Sequence, residues 1–225
     1  MVTDITGNEK FDDLLRQVRV GTFELKIGIT NEVSDLDAYL KPVTLETLGD
    51  SNILKALTIW RNANMENFMT NFEATPERTR LYLKNTLNEY SRQMLFLIYE
   101  GGELVGQVGF KDLNAEEAIM DNGMRGERSQ NPKIMVHAHR ALAIWLFKEA
   151  KIKQMIGWLF ADNITGIMMN KQIGWSSWVR HPLEKVETDD GAHWQIGAEG
   201  SKSSANKYCF KLIMKEEDLL SGLDE

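Results

Sequence analysis

Apolar residues recur along this chain in two periods, and the order in which those periods alternate predicts its architecture. Phe11, Leu14, Leu15 and Val18 fall at helical spacing within 11–20. The stretch "TFELKIGIT" (22–30) instead alternates Phe23, Leu25, Ile27 and Ile29, the period-two signature of a half-buried strand. From Tyr39 onward strands and helices interleave. "YLKPVTL" predicts a short strand, and "LGDSNILKALTIWRNANMENFM" a helix capped at Asp50 or Ser51 with a stripe of Ile53, Leu54, Leu57 and Trp60. "TPERTRLYLKNTLNEY" predicts a second helix, with Thr75 at the cap, Pro76 at the first helical position and Glu77 in the first turn.

Two apolar runs, "QMLFLIYE" and "ELVGQVGFKDL", flank Gly101-Gly102, which supplies the positive φ values of a hairpin turn. "AEEAIMDNGMR" predicts another strand. Over 133–150 the stripe Ile134, Met135, Ala138, Ala141, Leu142, Trp145 and Leu146 predicts the clearest helix. "KQMIGWLFADN" is then a strand, "ITGIMMNKQI" a short helix, and Gly174 its C-terminal cap. Beyond it lie strands joined by polar turns, with "KEEDLL" a last turn of helix. Mixed order of this kind predicts an α/β (α+β) fold, a sheet with helices on its faces. Residues 1–38 read as an N-terminal extension and 39–225 as the main domain.

Composition narrows the function classes. With 225 residues, 43% of them hydrophobic, the chain can bury a substantial core. Its net charge of −7 argues against general binding to nucleic acid. The N-terminus lacks a basic-then-apolar signal pattern, and no apolar run approaches the roughly 20 residues that span a bilayer. The expectation is a cytoplasmic protein without nucleic-acid or membrane partners. Cys209 is the one cysteine; in the alternating run "KYCFKLIM" it reads as a half-buried structural residue more readily than as a catalytic thiol.

The segment "RGERSQNPKIM" (125–135) carries candidate chemistry. A strand ending near Arg125 runs into a polar loop and then a helix, whose first amides have no partner within the helix. Asn131 is a favoured cap and Pro132 a favoured first helical residue, while Arg125, Arg128 and Lys133 add positive charge to that of the helix dipole. Such a turn can hold a pyrophosphate. Alone, it reads more readily as an ordinary capped helix with surface arginines.

The wider order of pieces resembles the GCN5-related N-acetyltransferase (GNAT) superfamily, over roughly 39–214. The most specific part is "LFADNITGIMMNKQIGW" (159–175); "GGELVGQVGF" is similar to the family's central hairpin. "LKPVTLETL" and "WRNA" look like the opening strand and first helix of the branch of ribosomal-protein and amino-sugar acetyltransferases, and the tail "HPLEKVETDDGAHW" is similar to tails of members that act on sugar-linked or small-molecule amines. The resemblance implies a mixed, mostly antiparallel sheet in which one parallel pair, here 118–125 and 154–161, splays to admit the pantetheine arm of acetyl-CoA.

It also implies that the pyrophosphate sits on the loop. The implied contacts are Met124, Arg125, Arg128, Ser129, Gln130, Asn131, Lys133, Ile134 and Met135. Arg128 matches the family pattern, whereas Asn131 and Lys133 replace glycine-type positions. Asn163 matches the asparagine that contacts pantetheine, and equally caps the following helix. Asn170 stands where many members place a tyrosine that protonates the leaving thiolate; an asparagine donates a hydrogen bond but is no acid.

The implied reaction is direct attack of an amine on the thioester, which needs no metal ion. An alkylamine is mostly protonated at pH 7, with roughly one part in a thousand neutral, so a base helps. Asp121 is the candidate, in mid-strand, expected to share a face with Ile119 and Gly123 while Asn122 points the other way. A structural or solvated aspartate is the alternative. Arg61 and Asn62, late in the first helix, are candidates to line the acceptor cleft or to pair on the surface.

His137 and His139, two apart on a helix, face different directions and cannot chelate. The acceptor expected is a small-molecule or sugar amine, with a peptide or protein amine as alternative. The rival class is a non-catalytic module that binds acyl-CoA or a protein partner. The N-terminal strand can pair within its own sheet or with a second copy, so a homodimer is allowed.

Overall fold

A computed structural model describes residues 6–30, 35–88, 90–126, 129–188 and 191–221. Its strands are β1 (Ile27–Thr30), β2 (Asp35–Pro42), β3 (Thr70–Asn71), β4 (Met94–Glu100), β5 (Glu103–Lys111), β6 (Glu117–Arg125), β7 (Gln154–Phe160), β8 (Ser177–Thr188), β9 (Gly191–Ile196) and β10 (Lys207–Met214). The helices are α1 (Glu9–Val20), α2 (Ser51–Ala63), α3 (Pro76–Thr86), α4 (Ile134–Trp145), α5 (Ile164–Ile173) and α6 (Glu216–Ser221). Among the described residues, these ten strands join one sheet in the order β1-β2-β4-β5-β6-β7-β10-β8-β9-β3. Neighbours are antiparallel except β6 and β7, which run parallel.

Alternation along β4 shows how the sheet divides the core. Phe96 and Ile98 face α1 and α4, joining Phe11, Leu15, Val108, Phe110, Leu142 and Leu146. Leu95 and Leu97 face the other way, toward Leu54, Leu57 and Trp60 of α2 and Leu83 of α3. Burying each such side chain stabilises by about 1.5–3 kcal/mol. The sheet is therefore sandwiched between two helix layers, and its strand order carries both faces up to β6.

Residues 6–30 share this core. Trp145 of α4 packs on Phe11 of α1 with ring centroids 5.2 Å apart and on Phe96 at 5.8 Å. β1 extends the sheet by pairing with β2. The strand expected over 22–30 is shorter than its pattern, covering only Ile27–Thr30. The reason is local: Gly21 caps α1 at φ 76°, and the amides of Thr22 and Phe23 turn back to Gln17 O at 3.0 and 3.3 Å.

The caps at Asp50 and Thr75 and the glycine at Gly174 stand as their residue types predict. The helix expected over 133–150 changes pitch. It is α-helical from Ile134 to Trp145, then makes one π turn, Leu146–Ala150, and stops at Lys151 with φ 61°.

Candidate active site

The parallel pair separates soon after it forms. β6 and β7 pair at Glu117–Gln154, Ala118–Met155 and Ile119–Ile156, and no further. β7 itself continues, bonded on its other side to β10 as far as Phe160–Cys209. A cleft thus opens in the sheet beyond Ile119.

A β-bulge sits at its edge. Gln107 opposes Met124 and Gly109 opposes Asp121, so Val108 alone faces both Asn122 and Gly123. Asn122 takes φ 53°, a left-handed conformation that asparagine tolerates better than most side chains. Gln107, only 2% exposed, donates Nε2–H to Asn122 O at 3.2 Å and holds the bulge. Gly123 then presses on α4: a Cβ there would lie 2.4 Å from His139 Nε2. His139 Nδ1–H donates to Met135 O at 2.6 Å, since a carbonyl only accepts, and burial pushes the imidazole pKa down.

This bulge overturns the simple alternation expected for the strand. Asp121 and Asn122 come to one neighbourhood, and Gly123, not Asn122, meets the opposite helix layer. Asn122 Nδ2 donates to Asp121 Oδ2 at 2.7 Å and to Tyr82 Oη at 2.8 Å. Lys111 Nζ lies 3.2 Å from Asp121 Oδ1. Desolvation of the Tyr82 hydroxyl, then the Asp121 charge, pushes the phenol pKa up, although the residue as a whole is 38% exposed. The phenol therefore keeps its proton at neutral pH.

Arg61 adds a cation to this side of the sheet. Its Nη2 donates to Thr70 O at 2.7 Å, and its guanidinium lies 3.9 Å from the Phe68 ring centroid. Nη1 is buried without a hydrogen-bond partner among the described residues. Burial lowers the Arg61 pKa, and the Asp121 charge opposes that shift. Asn62, expected beside it in the cleft, spends both ends of its amide on Ala74: Nδ2–H donates to O at 3.0 Å, and Oδ1 accepts from N at 2.8 Å. It clamps the chain ahead of α3. Nearby, β3 pairs with β9, and Trp194 N donates to Met69 O at 2.7 Å, tying the α2–β3 connection to the β8–β9 hairpin.

The loop after β6 differs from expectation at the helix start. α4 begins at Ile134, not Pro132, because Asn131 builds a turn first. Its Oδ1 accepts from Lys133 N at 2.8 Å and its O accepts from Ile134 N at 3.1 Å. Met135 N makes no hydrogen bond among the described residues. Arg125 braces the turn, donating to Pro132 O at 3.2 Å and Ser129 Oγ at 3.4 Å. Met124 is buried against the α2–α3 layer. Gly126 lies flat on the Trp60 indole, where a Cβ would fall 2.0 Å from the ring. Arg128 lies outside the described residues.

Most notably for charge, the amides of Gln130 and Asn131 converge on one carboxylate. Gln130 N donates to Glu100 Oε2 at 2.7 Å and Asn131 N to Glu100 Oε1 at 3.1 Å. Across the cleft, Asn163 caps α5, its Oδ1 accepting from Gly166 N at 2.8 Å. Asn170 Nδ2 donates back to Gly166 O at 2.8 Å. Burial raises the Cys209 thiol pKa to about 11, as befits a structural residue.

Sequence reasoning missed Tyr82, Lys111, Gln107 and Glu100. Gln107 had a signal, a lone polar residue inside the apolar run "LVGQVGF". Lys111 follows on the same alternation. Tyr82 and Glu100 reach the site through tertiary packing, which no local pattern encodes.

No protein-family model matches the chain, and no curated protein matches it in sequence. Solved structures do match in fold. A RimL ribosomal L7/L12 alpha-N-protein acetyltransferase is similar at TM-score 0.58 and 14% identity, over 88% of this chain and 97% of that one. Mycobacterium smegmatis RimJ, in complex with CoA-disulfide, is similar at TM-score 0.62 and 12% identity, over 86% and 88%. A Salmonella typhimurium acetyltransferase that modifies the N-terminal serine of L7/L12 matches at 0.61 and 14%, over 85% and 99%. The chain therefore has the GNAT acetyltransferase fold.

Proposed function

We propose that this chain is an acyl-CoA-dependent N-acetyltransferase that moves an acetyl group from acetyl-CoA to a primary amine of a small molecule or amino sugar. One observation carries the reading: β6 and β7 part after three residue pairs, with anion-holding amides beyond β6 and the Asp121 cluster beside the opening. The residues fit a phosphate-bearing thioester. Amides that already hold a carboxylate suit a phosphate, which also presents paired oxygens. Ser129, Gln130, Asn131, Lys133, Ile134 and Met135 would supply that end, with Met124, Arg125 and Arg128 flanking it. Asn163 would contact the pantetheine through Nδ2, its Oδ1 being committed to the helix cap.

Bound acetyl-CoA supplies an activated acetyl thioester. Asp121, alone or through a water, takes a proton from the incoming ammonium, and general base catalysis of this kind is worth about 10²–10⁴ in rate. Asn122 and Lys111 fix the orientation of that carboxylate, and Tyr82 offers a protonated hydroxyl to the acceptor. The amine nitrogen bonds to the acetyl carbon as the carbon–sulfur bond breaks. Of the two protons the nitrogen loses, one ends on the CoA sulfur and the other reaches solvent by way of Asp121. Asn170 retains a second Nδ2–H that can donate to the departing sulfur. Arg61 lines the acceptor side, while Asn62 acts only by holding Ala74.

A small amine is preferred because the pairing of β3 with β9, next to the Arg61–Thr70 contact, would close over the acceptor side. A second reading, a peptide α-amine, is favoured by the ribosomal-protein substrates of the similar structures. Thiol release from acetyl-CoA against amino sugars, small amines and short peptides separates the two, with products identified by mass spectrometry. Turnover of peptides alone would support the second reading. Binding of CoA without turnover would favour a binding module, and no binding would overturn the proposal.

A further inference from the structure

Adjacent backbone amides that converge on one point form an anion site whatever anion fills it. In this protein the filling anion is internal. Glu100 is the last residue of β4, and its two carboxylate oxygens take the N–H groups of Gln130 and Asn131, thirty residues along the chain. A bidentate, charge-assisted contact of this kind is strong compared with neutral hydrogen bonds. Arg125 braces the turn that presents both amides, through Pro132 O and Ser129 Oγ.

We propose that Glu100 is an internal competitor for the phosphate cradle and thereby a determinant of cofactor affinity. The inference rests on the functional reading above. One N–H points along one direction, so Gln130 and Asn131 cannot serve Glu100 and a phosphate at once. Binding requires the Glu100 side chain to rotate off these amides. This displacement leaves the β4–β5 hairpin in place, because the main chain of Glu100 stays paired with Glu103 and Ala38. The carboxylate also repels an incoming phosphate, so only a ligand that gains contacts elsewhere in the cleft displaces it. Glu100 thus discriminates against free phosphate and pyrophosphate in favour of a ligand whose other end fills the opening between β6 and β7.

The test compares wild type with Glu100→Gln and Glu103→Gln, titrating each with inorganic pyrophosphate and with acetyl-CoA. The backbone amide resonances of Gln130 and Asn131 report occupancy. Glu103 is the exposed neighbour across the hairpin, so its substitution removes the same charge without freeing the amides. Glu100→Gln should bind pyrophosphate about tenfold more tightly than wild type, as expected for loss of a charge-assisted contact that must be broken. Glu103→Gln should stay within about twofold, as screened surface charges do. Equal or weaker pyrophosphate binding by Glu100→Gln, or no response of the two amides, would overturn the inference. A matching gain in Glu103→Gln would overturn it too, by reducing the effect to net charge. If acetyl-CoA binds none of the proteins while the pyrophosphate difference persists, the acetyltransferase reading fails and the Glu100 competition stands.

Discussion

The side-chain amide of Asn122 donates to Asp121 at 2.7 Å from a backbone held at φ 53°. A bulge residue therefore aims a carboxylate beside the cleft, and the same amide reaches Tyr82. Placement of Asp121 is consequently a property of three elements, β5, β6 and α3.

Replacing Asp121 with Asn removes the proposed base and leaves the shape. The turnover rate at pH 7 should fall by about 10²–10⁴. Acetyl-CoA affinity, measured by calorimetry, should change by less than about twofold. Undiminished turnover would remove Asp121 as the base.

Gln107→Leu separates positioning from stability. The substitution forfeits the bond to Asn122 O, a net loss of about 0.5–1.5 kcal/mol. It also removes Oε1, which is buried without a partner among the described residues and whose desolvation costs about 1–3 kcal/mol. Stability by urea denaturation should hold or rise, while turnover falls about tenfold as Asp121 loses its setting. Loss of stability in step with turnover would point to a purely structural glutamine.

Arg61→Lys keeps the charge and discards the planar fork that stacks on Phe68 and bonds Thr70. Arginine and lysine are not interchangeable at such sites. The KM for the amine should rise about tenfold, since the fork's contacts are each worth about 1 kcal/mol or more. The KM for acetyl-CoA should be unchanged. A rise in both would move Arg61 from the acceptor side to general support of the fold.

His139 predicts a direction for stability against pH. Burial depresses its folded pKa below the ordinary value near 6.5, so the unfolded chain binds the proton more readily. This contribution is complete above pH 6.5 and is lost as pH falls toward the folded pKa. Denaturation midpoints should drop between pH 7.5 and 5.5 in wild type, and less in His139→Leu. Equal drops would assign the pH dependence to other groups.

Much of the fold was legible because its signals are local. Apolar runs about Gly101-Gly102 marked β4 and β5, the alternating run "KYCFKLIM" marked β10, and Asp50, Thr75 and Gly174 marked helix ends. The splay was reached through resemblance, and the pairing of β6 with β7 at only three positions bears it out. The bulge was not legible. Counting alternate residues put Asn122 opposite Asp121, and only the misregister against β5 brings them together. The helix start failed similarly: Asn131 and Pro132 are favoured at a cap, but Asn131 builds a turn of its own and α4 begins two residues later than expected, at Ile134. Glu100 reaches the cradle across the sheet, a relation that has no period.

In the proposed function acetyl-CoA lies between β6 and β7 with its phosphates on the turn at 129–135. Backbone hydrogen exchange with and without acetyl-CoA tests it most directly. Exchange should slow in 122–126, 129–135 and 157–163 and change little in β1, β2 or α1. Protection confined to other segments, or no protection at saturating acetyl-CoA, would contradict it.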